Sequence, residues 1–202
     1  VLIEPEHLRS LPRREMLCGI GEMLKYGILA DADMFRDISA AMESIEEPKR
    51  WITQPQIHRC AWMKAEIVAK DPEEKGSERV KLNLGHTIGH GLEAACGFDS
   101  LKHGEAVAAG LAGAAYIAHR RRYLNLQDFR EIMAAVEKFP FPELPRNLDI
   151  QQIITFIHKD KKRRKGKLVF VLPVTIGEVK VVDDIEEAEL TEAVEFCLKI
   201  ID

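Results

Sequence analysis

Two histidines stand four residues apart in the glycine-rich stretch LNLGHTIGHGLE, residues 82–93. On a helix His86 and His90 share one face, and His103 follows at the start of a later helical stretch. A catalytic zinc site uses three protein ligands, often histidines, and keeps a fourth position open. No glutamate follows His86 directly, so the HExxH pattern of metalloproteases is absent. The stretch itself leaves open half of a metal site, two packed core residues, or a metal ligand beside a proton-transfer group.

A carboxylate and an ammonium group lie in GIGEMLKYG, residues 19–27. Glu22 and Lys25 are three residues apart, and on an exposed helix they would form only a weak ion pair. Their neighbours are apolar, and buried charges require partners that offset the loss of hydration. A metal ion or a charged ligand would provide such partners. Glu22 with two of the three histidines would complete a set of three zinc ligands.

Cationic and amide side chains precede the first histidine. Lys64, Arg79 and Asn83 are residue types that bind phosphate or carboxylate groups, arginine through a planar fork of donors. The other charges around residues 71–75 fit a solvated loop. The most basic segment, HKDKKRRKGK at residues 158–167, fits a solvated turn and a phosphate-binding patch about equally well.

The elements that must position these residues are mostly helical. Apolar residues recur at spacings of three and four, which predicts helices over residues 13–29, 31–45, 50–69, 83–95, 103–122, 126–137, 149–159 and 186–200. Prolines and glycines mark the breaks, among them Pro48, Pro55 and Gly97. Residues 167–182, KLVFVLPVTIGEVKVV, predict two strands around a turn. The expected fold is mainly α, with a small β-hairpin near residues 167–182.

Composition narrows the class of protein. Hydrophobic residues make up 46% of the 202 residues, which is enough for a folded core. The 29 basic and 33 acidic residues leave a net charge of -4, so a general affinity for nucleic acid or an anionic membrane is not expected. No apolar stretch approaches the ~20 residues of a membrane span. Four scattered cysteines without a CxxC pair argue against a zinc ribbon or a disulfide framework and favour a cytoplasmic location.

Several ordered motifs resemble the metal-binding C-terminal domain of the 3-dehydroquinate synthase family. They are LRSLPRREMLCGIGEMLKYG, KAEIVAKDPEEKG, LNLGHTIGHGLE, HGEAVAAG and DKKRRKGKLVFVLPVTIG, which together span most of the chain. The resemblance implies a carbon–oxygen lyase of the shikimate pathway. Such an enzyme converts 3-deoxy-arabino-heptulosonate 7-phosphate, a small phosphorylated sugar acid, to 3-dehydroquinate and phosphate with the help of NAD and a divalent metal, zinc or cobalt.

The resemblance also implies a role for each candidate residue. The metal ligands are Glu22, His86 and His103. The catalytic residues are Lys25 and Lys64, which contact the substrate, and Glu74 and His90, which transfer protons. The phosphate ligands are Arg79, Asn83 and Lys161, with the adjacent Lys162 as an alternative to the last, and a contact with NAD falls to Ser10.

The family pattern further implies a division of the chain. Residues 1–12 are expected to be a linker from a missing N-terminal NAD-binding domain, and residues 13–202 the helical metal- and substrate-binding domain. No GxGxxG segment follows a predicted strand, so that other domain would hold most of the NAD, and the chain by itself is expected to be inactive. The full-length enzyme is expected to be a homodimer.

Three other functions fit parts of the pattern. A related sugar-phosphate cyclase, making 2-deoxy-scyllo-inosose or a valiolone, would share the fold, NAD and metal. A metal-dependent alcohol or glycerol dehydrogenase would share the architecture, but the cationic set around Lys64 and Arg79 favours an anionic substrate. A catalytically silent helical assembly module would bind no metal through His86 or His103.

Overall fold

The chain folds into α-helices and one small hairpin. The computed structural model describes residues 2–45, 47–50, 52–73, 76–97, 100–145, 147–163 and 168–201. In these ranges the helices are α1 (Arg13–Ala30), α2 (Ala32–Ala41), α3 (Gln54–Lys70), α4 (His86–Ala95), α5 (His103–Arg120), α6 (Leu126–Glu137), α7 (Ile150–Arg163) and α8 (Glu187–Ile201), and the strands are β1 (Phe170–Thr175) and β2 (Glu178–Val182). Short 3₁₀ helices cover Pro5–Ser10, Met42–Ser44, Pro48–Arg50 and Arg79–Asn83. The predicted mainly α fold is confirmed.

Each of the eight predicted helices has a counterpart, but some boundaries differ. The second ends at Ala41 and continues as the 3₁₀ turn Met42–Ser44, short of the predicted residue 45. The third begins at Gln54 instead of residue 50, and Pro55 lies in its first turn and not in a loop. Proline is tolerated there because the first-turn N–H groups have no partner within the helix.

The start of α4 matters most for the site. The prediction placed it at residue 83, but Arg79–Asn83 form a 3₁₀ helix and α4 begins at His86. Gly85 lies between them with a φ of 76°, in the left-handed region that favours glycine. This turn separates Asn83 from the helix and sets His86 in its first position.

The hairpin is antiparallel, with Phe170 opposite Val182 and a bulge between Pro173 and Thr175. Gly177, with a φ of 100°, forms its turn and donates a backbone hydrogen bond of 2.9 Å to the carbonyl of Ile28. The buried side of β1 packs against α5. The hairpin predicted for residues 167–182 is therefore present, and it packs onto the helical core.

The core is built around α5, which packs against α1, α4, α6 and α8. From Gly104 to Ala118 every residue except Tyr116 is buried, and most are alanine or glycine. A helix that is apolar on all sides belongs in the interior, and small side chains let its neighbours approach closely. None of the helices in the described ranges is long and apolar enough to cross a membrane.

Helices α1 and α5 cross at their backbones. A Cβ atom added to Gly104 would overlap the backbone of Cys18, and one added to Gly21 would overlap the carbonyl of Gly104. Each of these glycines precedes or follows a candidate metal ligand, since Gly21 adjoins Glu22 and Gly104 adjoins His103. The close crossing therefore sets the distance between those two ligands.

Two ion pairs hold the same ends of α1 and α5 together. Arg14 donates from Nε (2.6 Å) and from a terminal nitrogen (2.7 Å) to the carboxylate of Glu105, which is 1% exposed, and also to the carbonyl of Ser100. The neighbouring Glu15 pairs with Lys102. Glu105 additionally accepts a hydrogen bond from the backbone N–H of Lys102 at 2.8 Å.

Replacing Arg14 with alanine should destabilise the protein by about 2 to 3 kcal/mol, because Glu105 would keep a buried charge without its main partner. The matched control is Arg36→Ala, whose side chain is 57% exposed and lies 3.7 Å from Asp33. Such an exposed pair contributes about 0 to 1 kcal/mol. Urea unfolding of both variants measures the difference, and equal losses would contradict a special role for the Arg14–Glu105 pair.

Candidate active site

Three helices each bring one candidate metal ligand to a common point. Glu22 lies in the middle of α1, and His86 and His103 are the first residues of α4 and α5. Oε1 of Glu22 is 3.5 Å from Nε2 of His86 and 3.4 Å from Nε2 of His103. This oxygen is buried, and no group in the described part of the chain donates a hydrogen bond to it.

These separations fit a bound cation better than direct hydrogen bonds. An N–H···O hydrogen bond usually spans about 2.7 to 3.2 Å. Tetrahedral zinc with bonds of about 2.0 to 2.2 Å places its ligand atoms roughly 3.3 to 3.5 Å apart. A buried carboxylate oxygen without a hydrogen-bond donor, facing two imidazole nitrogens at such distances, is the donor set that zinc or cobalt accepts. The three residues therefore fit the predicted metal.

The other ring nitrogens of both histidines are held from behind. Nδ1 of His86 is 3.0 Å from the carbonyl of Leu84, and Nδ1 of His103 is 3.3 Å from Oε2 of Glu93. When Nδ1 carries the proton and donates it to such an acceptor, Nε2 keeps a free lone pair. Both lone pairs then point toward Glu22.

The electrostatics agree with this assignment of protons for His86. Burial and the nearby charge of Lys25 lower the pKa of His86 to about 4, so the ring is neutral at pH 7. Burial by itself would raise the pKa of Glu22, but His103 and Lys25 outweigh it and lower this pKa to about 2. The carboxylates of Glu22 and, to a lesser extent, Glu93 raise the pKa of His103 above its usual value, and a cation bound between His103 and Glu22 would compete with that proton.

His90 stands beside the other two histidines, one helical turn after His86. Its ring centre is 5.4 Å from that of His86 and 5.7 Å from that of His103. One nitrogen from each of the three rings can be chosen so that all lie within 4.8 Å of one another. The structure therefore brings together two sets of three potential metal ligands. One set is Glu22, His86 and His103, and the other is His86, His90 and His103.

Lys25 is a buried partner of Glu22 rather than half of a surface ion pair. It is 3% exposed, and its Nζ lies 2.5 Å from Oε2 of Glu22. Burial lowers the pKa of Lys25, although Glu22 acts in the opposite direction. The Lys25 ammonium also lies 4.8 Å from the centre of the Tyr26 ring. The interpretation of a solvated surface pair is wrong here.

One cavity of about 480 Å³ is lined by Lys25 and by the candidate ligands Glu22, His86 and His103, whereas His90 is not part of its described lining. Four predicted polar residues line it beside the metal candidates: Lys25 from α1, Lys64 from α3, and Arg79 and Asn83 from one 3₁₀ helix. Its lining comprises Glu22, Lys25, Tyr26, Lys64, Val68, Arg79, Leu82, Asn83, His86 and His103. The predicted grouping of the cationic set with the metal candidates is therefore found in the structure.

Asp71 was assigned to the charges of a solvated loop, and this prediction is wrong because Asp71 is buried. Its carboxylate, 7% exposed, accepts hydrogen bonds from the backbone N–H of Gly76 at 3.0 Å and of Arg79 at 3.3 Å. The Arg79 guanidinium also donates to the carbonyl of Pro72 at 3.1 Å. Asp71 thus fixes the backbone that carries Arg79 to the cavity.

The other predicted residues lie apart from this lining. Ser10 is exposed at the end of the first 3₁₀ helix and donates to the carbonyl of His7 at 3.1 Å. Lys161 lies in the last turn of α7, and its side chain is outside the described part of the structure, as is Glu74 as a whole. Two contacting residues were missed, Tyr26 and Glu93. The spacing of seven from His86 to Glu93, two helical turns, was the available signal for the latter.

Comparison with known proteins identifies relatives of this chain. Residues 19–163 match the family described as 3-dehydroquinate synthase C-terminal. The 3-dehydroquinate synthase of Colwellia psychrerythraea is 37% identical over 193 residues, which cover 95% of this chain and 54% of that protein. The enzyme of Prochlorococcus marinus is 38% identical over 198 residues, covering 96% and 53%. The chain thus spans about half the length of the curated relatives it matches.

Two solved structures share the fold. One is ValA, a 2-epi-5-epi-valiolone synthase from Streptomyces hygroscopicus with NAD+ and Zn2+ bound (TM-score 0.84, 22% identity, 98% of this chain and 55% of that one). The other is a 2-deoxy-scyllo-inosose synthase complexed with carbaglucose-6-phosphate, NAD+ and Co2+ (TM-score 0.75, 23% identity, 92% and 53%).

The evidence for the family comes from the sequence matches, since the two structures are too distant to show more than a common fold. The matched region runs from the start of the Glu22 motif through α7 and includes the three candidate metal ligands and the cationic residues of the cavity. This chain therefore belongs to the 3-dehydroquinate synthase C-terminal family.

Proposed function

We propose that this chain is the metal- and substrate-binding part of a 3-dehydroquinate synthase, a carbon–oxygen lyase that converts 3-deoxy-arabino-heptulosonate 7-phosphate to 3-dehydroquinate and phosphate. The observation that carries the proposal is the composition of the cavity. A three-residue donor set for zinc shares one space of about 480 Å³ with two lysines, an arginine and an asparagine. A substrate with a carboxylate, hydroxyls and a phosphate requires such a combination.

In this proposal Glu22, His86 and His103 would hold the metal. When bound, zinc or cobalt supplies a Lewis acid that polarises the substrate hydroxyl undergoing transient oxidation. The chain's own residues do the remaining work of binding, orientation and proton transfer. Lys25, buried against Glu22, and Lys64 from α3, which lines the same cavity, would orient the substrate.

The phosphate group is assigned to Arg79 and Asn83, which lie at the two ends of one 3₁₀ helix. Lys161 is proposed as the third phosphate ligand, because it belongs to the motif DKKRRKGKLVFVLPVTIG, which resembles the family pattern. His90 is proposed for proton transfer, since histidine is the commonest general acid and base in enzymes and His90 lies beside both candidate metal-binding histidines. Glu74 is proposed as its partner in proton transfer.

The cofactor and assembly remain parts of the same proposal. NAD would carry out the reversible oxidation, held mostly by residues outside this chain and contacted here by Ser10. Both related structures described above carry NAD+ with a divalent metal, which supports the pairing of these two cofactors. A homodimer and a cytoplasmic location are further expectations from the family.

A chimaera tests the proposed activity in a complete enzyme. In the chimaera, this chain would replace the matching region of the Colwellia psychrerythraea synthase. The chimaeric protein would be loaded with zinc and supplied with NAD and 3-deoxy-arabino-heptulosonate 7-phosphate. We expect release of phosphate with matching formation of 3-dehydroquinate, and no product from the same chimaera carrying His86→Ala. A folded, zinc-binding chimaera without product, beside an active parent enzyme, would contradict the proposal.

A related cyclase activity is the second candidate, because the two solved structures described above are synthases of other products, a valiolone and 2-deoxy-scyllo-inosose. The same chimaera separates the two when it is offered a hexose 6-phosphate in place of the heptulosonate phosphate. Turnover of the hexose phosphate only would identify a 2-deoxy-scyllo-inosose-type enzyme. The side chains of Arg79 and Lys64 bind anions in either reaction, so they do not distinguish them.

Replacing Arg79 with alanine should weaken binding of inorganic phosphate to the chain by about 10-fold to 100-fold, because hydrogen bonds to charged groups contribute roughly 1.5 to 3 kcal/mol. The matched control is Lys81→Ala. Lys81 is a cation on the same 3₁₀ helix, it pairs with Glu78, and it is not part of the described cavity lining. Calorimetric titration with phosphate measures both variants. An equal loss of phosphate affinity in Lys81→Ala would mean that phosphate binding depends only on the overall charge of this helix.

A further inference from the structure

The geometry points to Glu93 as a positioning residue for His103, which it holds in the orientation needed for metal binding; this inference rests on the proposed metal site. Oε2 of Glu93 lies 3.3 Å from Nδ1 of His103, and Nε2 of the same ring lies 3.4 Å from Oε1 of Glu22. The two nitrogens occupy opposite edges of an imidazole. Glu93 therefore contacts the ring from the side that faces away from the cation position and is not itself a ligand of that cation.

His103 requires such a contact more than His86 does. The side chain of His103 is 47% exposed, whereas that of His86 is 13% exposed and is surrounded by protein. Packing restricts the rotation of a buried ring, but a half-exposed ring turns about its last side-chain bond at little cost. If His103 turned over, Nε2 would leave the neighbourhood of Glu22. The hydrogen bond to Glu93 favours the orientation in which it stays.

Glu93 is well placed to act as a fixed support. It lies near the end of α4, and its side chain is only 16% exposed. Helix α4 packs against α5, which carries His103, so the two residues are brought together by helix packing and not by a flexible loop. A carboxylate that has lost most of its hydration gains from a charge-assisted hydrogen bond, and His103 provides it.

The contact also has an electronic consequence. A carboxylate that accepts the Nδ1 proton fixes the tautomer with the lone pair on Nε2 and makes that nitrogen a stronger electron donor. His86 has a neutral carbonyl, that of Leu84, in the same position. The two histidines are thus predicted to be unequal ligands, with His103 dependent on the charge of Glu93 and His86 on backbone structure.

Zinc affinity of the purified chain tests this role without reference to turnover. We expect Glu93→Gln, which keeps an acceptor oxygen but loses the charge, to weaken zinc binding about 10-fold, and Glu93→Ala up to about 100-fold, the range found for residues behind metal ligands. The matched control is Glu187→Gln, which removes the charge from a second histidine–carboxylate contact. Glu187 lies 3.0 Å from His158, and neither residue is part of the cavity lining. This control should leave zinc affinity unchanged.

Two further readouts separate positioning from a general structural effect. The visible absorption of the cobalt-loaded chain should change in both Glu93 variants, because it reports ligand geometry, while thermal unfolding of the metal-free chain should stay close to wild type. In a double-mutant cycle, Glu93→Gln should have no additional effect on metal binding once His103 is alanine. An additive loss there would overturn the inference.

The failure of this inference differs from the failure of the metal site. If the wild-type chain takes up no zinc or cobalt, the proposed metal site falls and the role of Glu93 falls with it. If the wild-type chain binds zinc but both Glu93 variants retain its affinity and its cobalt spectrum, only the role of Glu93 is overturned. Weaker zinc binding in the Glu93 variants together with an unchanged Glu187→Gln control supports the inference.

Discussion

Replacing His86 with alanine should abolish stoichiometric zinc binding, whereas replacing His90 with alanine should leave one zinc per chain. His86 lies 3.5 Å from the buried oxygen of Glu22, has a pKa of about 4 and has its Nδ1 held by a carbonyl, so it meets each requirement of a ligand. Its loss would leave two protein ligands where a catalytic zinc site uses three. We expect affinity to fall by more than about 100-fold, beyond the effect of residues that only support a ligand.

His90→Ala is the matched control, because it removes the same side chain one helical turn away. Its zinc affinity should stay within about 10-fold of wild type, the lower end of effects seen for neighbouring residues. In the chimaeric enzyme this variant should bind zinc and lose turnover, as expected for a proton-transfer group. Metal analysis after dialysis against a weak chelator measures the zinc content of both variants.

The opposite pattern has a clear structural meaning. The nitrogens of His86, His90 and His103 also lie close enough to bind one ion. Equal loss of zinc in the His86 and His90 variants, with full retention in Glu22→Gln, would identify the three-histidine set as the ligands. Glu22 would then be a neighbour of the metal site that accepts a hydrogen bond from Lys25.

Replacing Gly104 with alanine should destabilise the protein by about 3 kcal/mol or more and disrupt the metal site at the same time. The added Cβ would overlap backbone atoms of Cys18 in α1, and neither helix backbone can move aside locally in the way that a flexible side chain can. The helices would have to separate, which would carry His103 away from Glu22. Urea unfolding measures the stability and zinc titration measures the site.

Gly19→Ala is the matched control on the partner helix. Gly19 lies in α1, and apart from its chain neighbours and its own helix backbone no atom of the described residues lies within 4 Å of the position that its Cβ would take. Alanine has the higher helix propensity, so this variant should be neutral or more stable by up to about 1 kcal/mol. If Gly104→Ala unfolded at the same urea concentration as wild type and still bound zinc, the backbone crossing would not be what sets the ligand distance.

Local rules of helix and turn formation account for most of the fold. The periodic apolar residues of α1 and α5 and the paired apolar runs around Gly177 are short-range patterns, so the sequence predicted those elements close to their observed bounds. The errors fall at ends, such as the start of α3 at Gln54, where capping by Thr53 outweighs the apolar pattern. The helix predicted over residues 83–95 begins only after Gly85, because the backbone of Gly85 is left-handed.

The candidate site divides in a similar way. The residue types alone indicated imidazole and carboxylate ligands near cationic, anion-binding side chains, and the family resemblance selected among them. The sequence could not show the support behind each ligand. Glu93 contacts His103 because α4 packs on α5, and the contact of Asp71 with the N–H of Arg79, eight positions later, is likewise visible only in the folded chain.

By itself, the sequence determined the elements, the apolar core pattern and the chemical types of the site residues, because these depend on neighbours along the chain. Tertiary structure decided which charges are buried and which atoms meet. Glu22 and His103 are 81 positions apart in the numbering of the chain, and their 3.4 Å separation arises from the backbone crossing at Gly21 and Gly104. Steric exclusion and burial act between distant segments, so only the packed structure shows that one carboxylate oxygen faces two imidazoles.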